Sequence, residues 1–137
     1  MALNLVKGRL YEFNTVGLSP DHPFCIRNAD GDTSPVAGAV GNDPVNGVTG
    51  VVIRCLVPYD APETLVFQCA KRGEGEKHRT DGVCKINIFD IDPTYIINPV
   101  TGQPYTDDDG NPITNANNVP KDVVVTTCCD DDGGCGV

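Results

Sequence analysis

Two side chains carry donor atoms suited to a soft metal ion: His22 and Cys69. His22 stands just before the apolar run 24–26, and Cys69 ends the apolar run 65–69. A histidine that enters one strand and a cysteine that leaves another can face each other at one end of a β-sandwich. Imidazole and thiolate are ligands that soft metal ions prefer. The first question is therefore which elements bring these residues together.

The apolar residues form short runs bounded by Gly, Pro, Asn and Asp, a pattern typical of strands. Residues 9–15 alternate, which places Tyr11 and Phe13 on a core face. Residues 28–46 are rich in turn residues and are predicted to be a long irregular loop. The charged segment 71–81 is predicted to be an exposed loop. The predicted strands cover residues 3–6, 9–15, 23–27, 48–57, 65–69 and 83–89.

Charge and composition limit the function classes. The chain of 137 residues has a net charge of −9, which argues against nucleic acid and anionic membrane surfaces as partners. Residues 1–91 are near neutral, whereas 92–137 hold eight acids and a single Lys. The first residues lack a basic segment followed by a long apolar one, so we expect no signal peptide. Seven cysteines are many for a protein synthesised in a cytoplasm.

Residues 2–90 resemble cupredoxin-like domains, the plastocyanin-type β-sandwich. The matching stretches are Lys7-Gly8 with Tyr11-Glu12-Phe13, His22-Pro23-Phe24-Cys25-Ile26, Val57-Pro58-Tyr59-Asp60-Ala61-Pro62, Leu65-Val66-Phe67-Gln68-Cys69 and Gly82-Val83-Cys84-Lys85-Ile86-Asn87-Ile88. The resemblance implies an all-β, Greek-key β-sandwich over residues 1–91. Similar domains occur in secreted copper proteins. They also look like domains of virion and surface structural proteins of phages and microbes.

A copper site of this family implies a His, then a Cys, with a second His and usually a Met soon after. His22 and Cys69 match, but His78 follows Cys69 by nine residues and the single Met is Met1. His78 reaches the others only if its loop folds back. We therefore predict no bound cofactor; a copper ion, if present, would use His22, Cys69 and His78. A zinc site that adds Cys25 and Cys84 is disfavoured, because His22 and Cys25 would point to opposite strand faces.

Two pairings are considered for the cysteines of the sandwich. In this fold the strands that carry Cys69 and Cys84 are neighbours, so a disulfide between these two residues is predicted to bracket the charged loop. Cys25 and Cys55 are predicted to be either buried thiols or a second pair. No arrangement of Ser, His and Asp or of Cys, His and Asn stands out, and a pair of Cys69 with His78 is interpreted as structural. The chain is predicted not to be an enzyme.

Residues 92–137 are predicted to be an extended, Pro-rich and Asp-rich arm. The segment 122–127 has high β-propensity and would be stable by adding to a sheet edge, its own or a neighbour's. The arm ends in a cluster of three cysteines. Together these features suggest clasping between subunits, followed by disulfide locking. The candidate contact residues are Val123, Val124, Val125, Cys128, Cys129 and Cys135.

The preferred hypothesis from sequence is a structural subunit of a virion, as a capsid decoration or tail component, or of another extracellular assembly. Such a protein would be made in the host cytoplasm without a signal peptide and would act in the virion. Its partners would be copies of itself or a capsid or tail protein, without nucleic acid or membrane. The alternatives are a small copper protein that carries electrons and a ligand-binding or adhesive module that uses loops 28–46 and 71–81.

Overall fold

A computed structural model describes residues 3–89, 100–101, 103, 106, 109–110 and 121–125 of the chain. Within these residues, strands dominate and the helical content is one short 3-10 helix, Glu76–His78. No described helix has the length and apolar character that crossing a membrane requires. The strands are β1 (Leu3–Val6), β2 (Leu10–Asn14), β3 (Phe24–Arg27), β4 (Ala39–Val40), β5 (Val52–Leu56), β6 (Thr64–Cys69), β7 (Val83–Phe89) and β8 (Lys121–Val124).

The strands form two four-stranded sheets, which confirms the predicted all-β, sandwich-like class. Sheet A has the order β1-β7-β6-β3, and sheet B has the order β4-β5-β2-β8. Both sheets are mixed, because β1 runs parallel to β7 and β8 runs parallel to β2, while the other pairs are antiparallel. Strands distant in sequence are therefore neighbours, and the chain crosses repeatedly between the sheets.

Alternating side chains build the core between the sheets. In β2, Tyr11 and Phe13 are buried and their neighbours are not, as the two-residue period predicts. The rings of Phe13 in sheet B and Phe24 in sheet A have centroids 5.9 Å apart. Phe24 also contacts Phe67 of β6, at 5.4 Å. This aromatic row connects the sheets beneath the end where His22 and Cys69 lie.

The structure corrects two predicted boundaries. The segment 28–46, predicted to be irregular throughout, contains the short strand β4 at one edge of sheet B. At the other edge, β8 pairs with β2 of the same chain. The sandwich therefore extends past residue 91 and includes part of the predicted arm.

The docking of β8 also changes the interpretation of the arm residues. Addition of this segment to a sheet edge is confirmed, and the edge belongs to its own chain. Val123 and Val125 are buried in that position, whereas Val124 is exposed. The first two valines thus pack inside the subunit and are not available to a neighbour in this structure. Cys128, Cys129 and Cys135 lie outside the described residues.

Candidate metal centre

His22 and Cys69 meet because their strands are paired. β3 and β6 are antiparallel, and the register places Phe24 opposite Cys69, the last residue of β6. Just beyond this pair, the amide of Ala70 donates a 2.8 Å hydrogen bond to the carbonyl of Pro23. The residue after His22 is thus bonded to the residue after Cys69. The predicted meeting of this histidine and this cysteine at one end of the sheet is what the structure shows.

His78 joins them because the charged loop folds back over the end of sheet A. Gly73 has a φ of 81° and Gly75 a φ of 73°, values that L side chains rarely adopt and that allow the chain to reverse here. The amide of Gly73 donates a 3.2 Å hydrogen bond to the carbonyl of His78, which closes the loop. The 3-10 helix then ends with the buried His78 side chain. The distance along the sequence that disfavoured His78 as a ligand is spanned by this turn.

Asp81 is a fourth member of the cluster, and the sequence reasoning did not single it out. It follows His78 by three residues, and its amide donates a 3.3 Å hydrogen bond to the His78 carbonyl. In a 3-10 turn, side chains three residues apart lie on one face. The spacing His78-x-x-Asp81, placed directly before β7, was the available signal. It was hidden by the many other charges of the loop.

The donor atoms of these four residues converge on one point. They all lie within 4.8 Å of one another. Oδ2 of Asp81 is 3.0 Å from Nδ1 of His22 and 3.1 Å from Nδ1 of His78. Sγ of Cys69 is 3.9 Å from the same nitrogen of His78. Ligands held at about 2.0–2.3 Å by a tetrahedral metal ion are themselves roughly 3.3–3.8 Å apart. The cluster therefore has nearly the dimensions of a coordination shell.

The cluster is mostly shielded from water, with one side open. Cys69 is fully buried, and the side chains of His78 and Asp81 are 8% and 12% exposed. His22 is the exception, with 30% of its side chain exposed. The two imidazole rings are packed edge to face, with centroids 4.9 Å apart. An ion at the centre would contact solvent mainly past the edge of His22.

Electrostatics give the cluster an anionic donor that a cation can pair with. Burial by itself would raise the pKa of Asp81, but hydrogen bonds from His22, Cys69 and His78 outweigh burial and hold it below its usual value. The same bond to Asp81 raises the pKa of His22 above its ordinary value, against the effect of burial. Asp81 is therefore ionised at neutral pH, at the centre of three neighbouring donor atoms.

A cysteine, a histidine and an aspartate in contact also suggest a nucleophile with its base. In such a triad, one ring nitrogen takes the proton of the nucleophile while the other is held by the carboxylate. Here a single nitrogen, Nδ1 of His78, faces both Sγ of Cys69 and Oδ2 of Asp81. The ring cannot relay a proton between them in this orientation. Convergence on one point suits metal binding better than nucleophilic catalysis.

The predicted disulfide between Cys69 and Cys84 is wrong. Cys69 is not disulfide-bonded, and the strand register explains why. Phe67, not Cys69, lies opposite Cys84, so the two cysteines are diagonal neighbours. Cβ atoms at such positions are roughly 7–8 Å apart or slightly closer, whereas a disulfide needs about 3.8 Å. Cys25 and Cys55 are not disulfide-bonded either, so Cys84 is paired with none of these three cysteines.

Cys25 and Cys55 are buried thiols, the first of the two predicted possibilities. They belong to different sheets, Cys25 to β3 and Cys55 to β5, and neither is disulfide-bonded. Burial raises the pKa of each to about 11. The Cys25 thiol donates a 3.6 Å hydrogen bond to the carbonyl of Gln68. Neither Cys25 nor Cys84 belongs to the cluster of donor atoms among the described residues, so the five-residue zinc set does not assemble.

Comparisons with protein-family models, with curated proteins and with solved structures found no match to this chain. Function is therefore inferred from the geometry and chemistry of the site.

Proposed function

We propose that this protein binds a single copper ion through His22, Cys69 and His78 and carries one electron at a time. The observation that carries the proposal is the convergence of the donor atoms of these residues, with that of Asp81, to within 4.8 Å of one another. The residues come from three separate segments, and two are buried. A chance grouping of surface charges would not bring a buried thiol against two imidazoles.

The donor types favour copper over the other common metal ions. A thiolate and two imidazoles are soft to intermediate ligands, which disfavours magnesium and calcium. Among divalent ions of the first transition row, copper binds most tightly to a given set of nitrogen and sulfur ligands. The ion would take one electron from a one-electron reductant, passing from Cu(II) to Cu(I), and return it to a one-electron oxidant. No substrate needs to reach the ion, which agrees with the buried setting.

The surroundings of the site suit electron transfer. The paired strands β3 and β6 hold His22 and Cys69, and the hydrogen bond between Ala70 and Pro23 fixes their spacing. Such a rigid shell limits the rearrangement that a change of oxidation state would require. The partly exposed edge of His22 gives an external redox partner a short route to the ion.

An anaerobic titration with Cu(II), followed by visible absorption and electron paramagnetic resonance, tests the proposal. We expect one equivalent to bind and to give an intense band from charge transfer between the Cys69 thiolate and Cu(II). Cys69→Ser should abolish the band. Cys55→Ser is the matched control, since it removes a buried thiol from the other sheet and should leave the band intact. Absence of stoichiometric copper binding, or tighter binding of zinc than copper in competition, would contradict the proposal.

A structural role in a virion or another extracellular assembly is the second candidate, and one surface supports it. The outer face of sheet B carries four apolar side chains, each at least 40% exposed: Val40, Val52, Leu56 and Val124. Val52 and Val124 lie in one cross-strand row, because both are opposite Asn14 of β2. Exposed apolar side chains among polar ones on one sheet face are typical of contacts between proteins. Further copies of the chain, or a capsid or tail protein, would be the partners.

Sedimentation velocity of the full chain over a range of concentrations tests this second role. Val52→Asp places a charge in the exposed apolar row and should dissociate an assembly. Glu74→Gln changes the charge of the 71–81 loop on the other sheet and serves as control. A chain that sediments as a monomer at every concentration, alone and with capsid or tail proteins, would exclude assembly through this face.

A further inference from the structure

We infer that Asp81 is itself a ligand of the metal ion and makes the site selective for Cu(II) over Cu(I). The inference rests on the proposed copper site and adds the oxidation state that the site prefers. It also assigns a fourth ligand beyond the two histidines and the cysteine expected from sequence. It depends on the position of one atom, Oδ2 of Asp81.

Oδ2 of Asp81 lies where a ligand lies, not where an orienting group lies. A carboxylate that only orients a metal-bound histidine accepts a hydrogen bond from the ring nitrogen facing away from the metal. Here Oδ2 is 3.1 Å from Nδ1 of His78, and Sγ of Cys69 is 3.9 Å from that same nitrogen. The carboxylate oxygen and the thiol therefore share one side of the ring. An ion that binds Sγ and Nδ1 would also face Oδ2.

The second histidine gives the same result. Nδ1 of His22 is 3.0 Å from Oδ2 of Asp81, so one oxygen atom lies within hydrogen-bonding distance of both imidazole nitrogens. Two N–H groups can donate to that oxygen while the site is empty. A single cation that replaces the two protons would be bound by the same three atoms, with the Cys69 thiolate as the fourth donor. In the metal-free protein, protons on these atoms thus take the place that the cation would occupy.

A carboxylate ligand changes the redox preference of the ion. Carboxylate is a hard, anionic donor, whereas thiolates and thioethers are the ligands that favour Cu(I). The trigonal site with a weak axial thioether, the arrangement implied by the cupredoxin resemblance, stabilises Cu(I) relative to a site with a carboxylate in the fourth position. The chain has a single methionine, Met1. The fourth donor beside His22, Cys69 and His78 is the carboxylate of Asp81. The oxidised ion should therefore be the favoured form.

The decisive experiment compares copper-loaded wild type with Asp81→Ala and Asp81→Asn by paramagnetic resonance, visible spectroscopy and redox titration. Both variants keep His22, Cys69 and His78 and should still bind copper. We expect an altered Cu(II) hyperfine coupling and at least a tenfold shift in relative affinity toward Cu(I), equal to about 59 mV in midpoint potential. Asp81→Asn preserves side-chain size, so the comparison can still be made with this variant if Asp81→Ala perturbs the loop.

Asp21→Ala is the matched control. Asp21 is an acidic neighbour of His22 in sequence, and its carboxylate pairs with Lys77 at 2.9 Å on the surface, outside the donor cluster. It should leave the spectrum and the potential unchanged. If both Asp81 variants bind copper with wild-type spectra and potential, the inference is wrong and the proposed function stands. If the wild type binds no copper, the inference and the proposed function are both wrong.

Discussion

The carbonyl of Pro23 accepts a 2.8 Å hydrogen bond from the amide of Ala70. Pro23 follows His22 and Ala70 follows Cys69, so this bond fixes the spacing between two residues of the candidate metal centre. Gly47 packs against both partners. A Cβ at Gly47 would lie 2.8 Å from the Cβ atoms of Pro23 and Ala70, closer than real Cβ contacts. The absence of a side chain at residue 47 thus allows Pro23 and Ala70 to approach each other beside the candidate metal centre.

Gly47→Ala should therefore weaken metal binding as well as stability. The added methyl group must push Pro23 or Ala70 aside, which moves His22 relative to Cys69. We expect copper affinity, measured by competition with a chelator, to fall at least tenfold. Gly50→Ala is the control: its φ of 73° is close to the 71° of Gly47, but its Cβ would meet no atom within 4 Å. Equal affinity losses in both variants would show that backbone strain, not displacement of the site, is responsible.

The buried thiols of Cys25 and Cys55 should be unreactive in the folded protein. Burial raises the pKa of Cys25 and Cys55 to about 11, so at pH 8 almost none of either is thiolate, and thiolate is the reactive form. Native protein should leave both unmodified by iodoacetamide, as read by peptide mass spectrometry. Copper should further protect Cys69 from modification. Rapid labelling of Cys25 or Cys55 in the folded protein would contradict their placement in the core.

Asp43 should contribute an acid-sensitive part of the stability. Its Oδ1 accepts 3.0 Å hydrogen bonds from the amides of Val45 and Asn46, which hold the pKa of Asp43 below its usual value. A lowered pKa in the folded state contributes stability that is present above the unfolded pKa, about 3.9, and is lost as pH falls through the folded pKa.

Urea unfolding between pH 2 and pH 6 measures this dependence. The free energy of unfolding of Asp43→Asn should fall less steeply below pH 4 than that of the wild type. Asp60→Asn, which removes an exposed carboxylate from another loop, is the control substitution. Parallel curves for wild type and Asp43→Asn would refute the assignment.

Val124, the last residue of β8, and Val125, which follows it, should differ sharply in their effect on stability. Val125 is fully buried and Val124 is exposed. Val125→Ala removes two buried methyl groups and leaves a cavity, so it should lower the free energy of unfolding by about 2 kcal/mol. Val124→Ala should change it by less than about 0.5 kcal/mol. Equal small effects from both substitutions, measured by urea unfolding, would mean that β8 is not part of the stable sandwich.

The sequence by itself determined the all-β class and most of the strands, because side-chain alternation and turn residues are local signals. The alternation of Tyr11 and Phe13 predicted their burial, and the segment 83–89 was predicted with the bounds that β7 has. Strand β4 was missed because two residues between turns carry no detectable period. The cupredoxin resemblance stays a prediction, as does the role in a virion.

Only the tertiary structure decided which cysteines and histidines lie next to one another. Local pattern does not specify strand register, and register is what separates Cys69 from Cys84. Local pattern also does not specify how far a charged loop folds back. The turn at Gly73 and Gly75 places His78 and Asp81 beside Cys69. Distances between ligands depend on contacts remote in sequence. His22, Cys69 and His78 could therefore be named from the sequence, whereas Asp81 and the convergence of the four donor atoms depend on the folded loop.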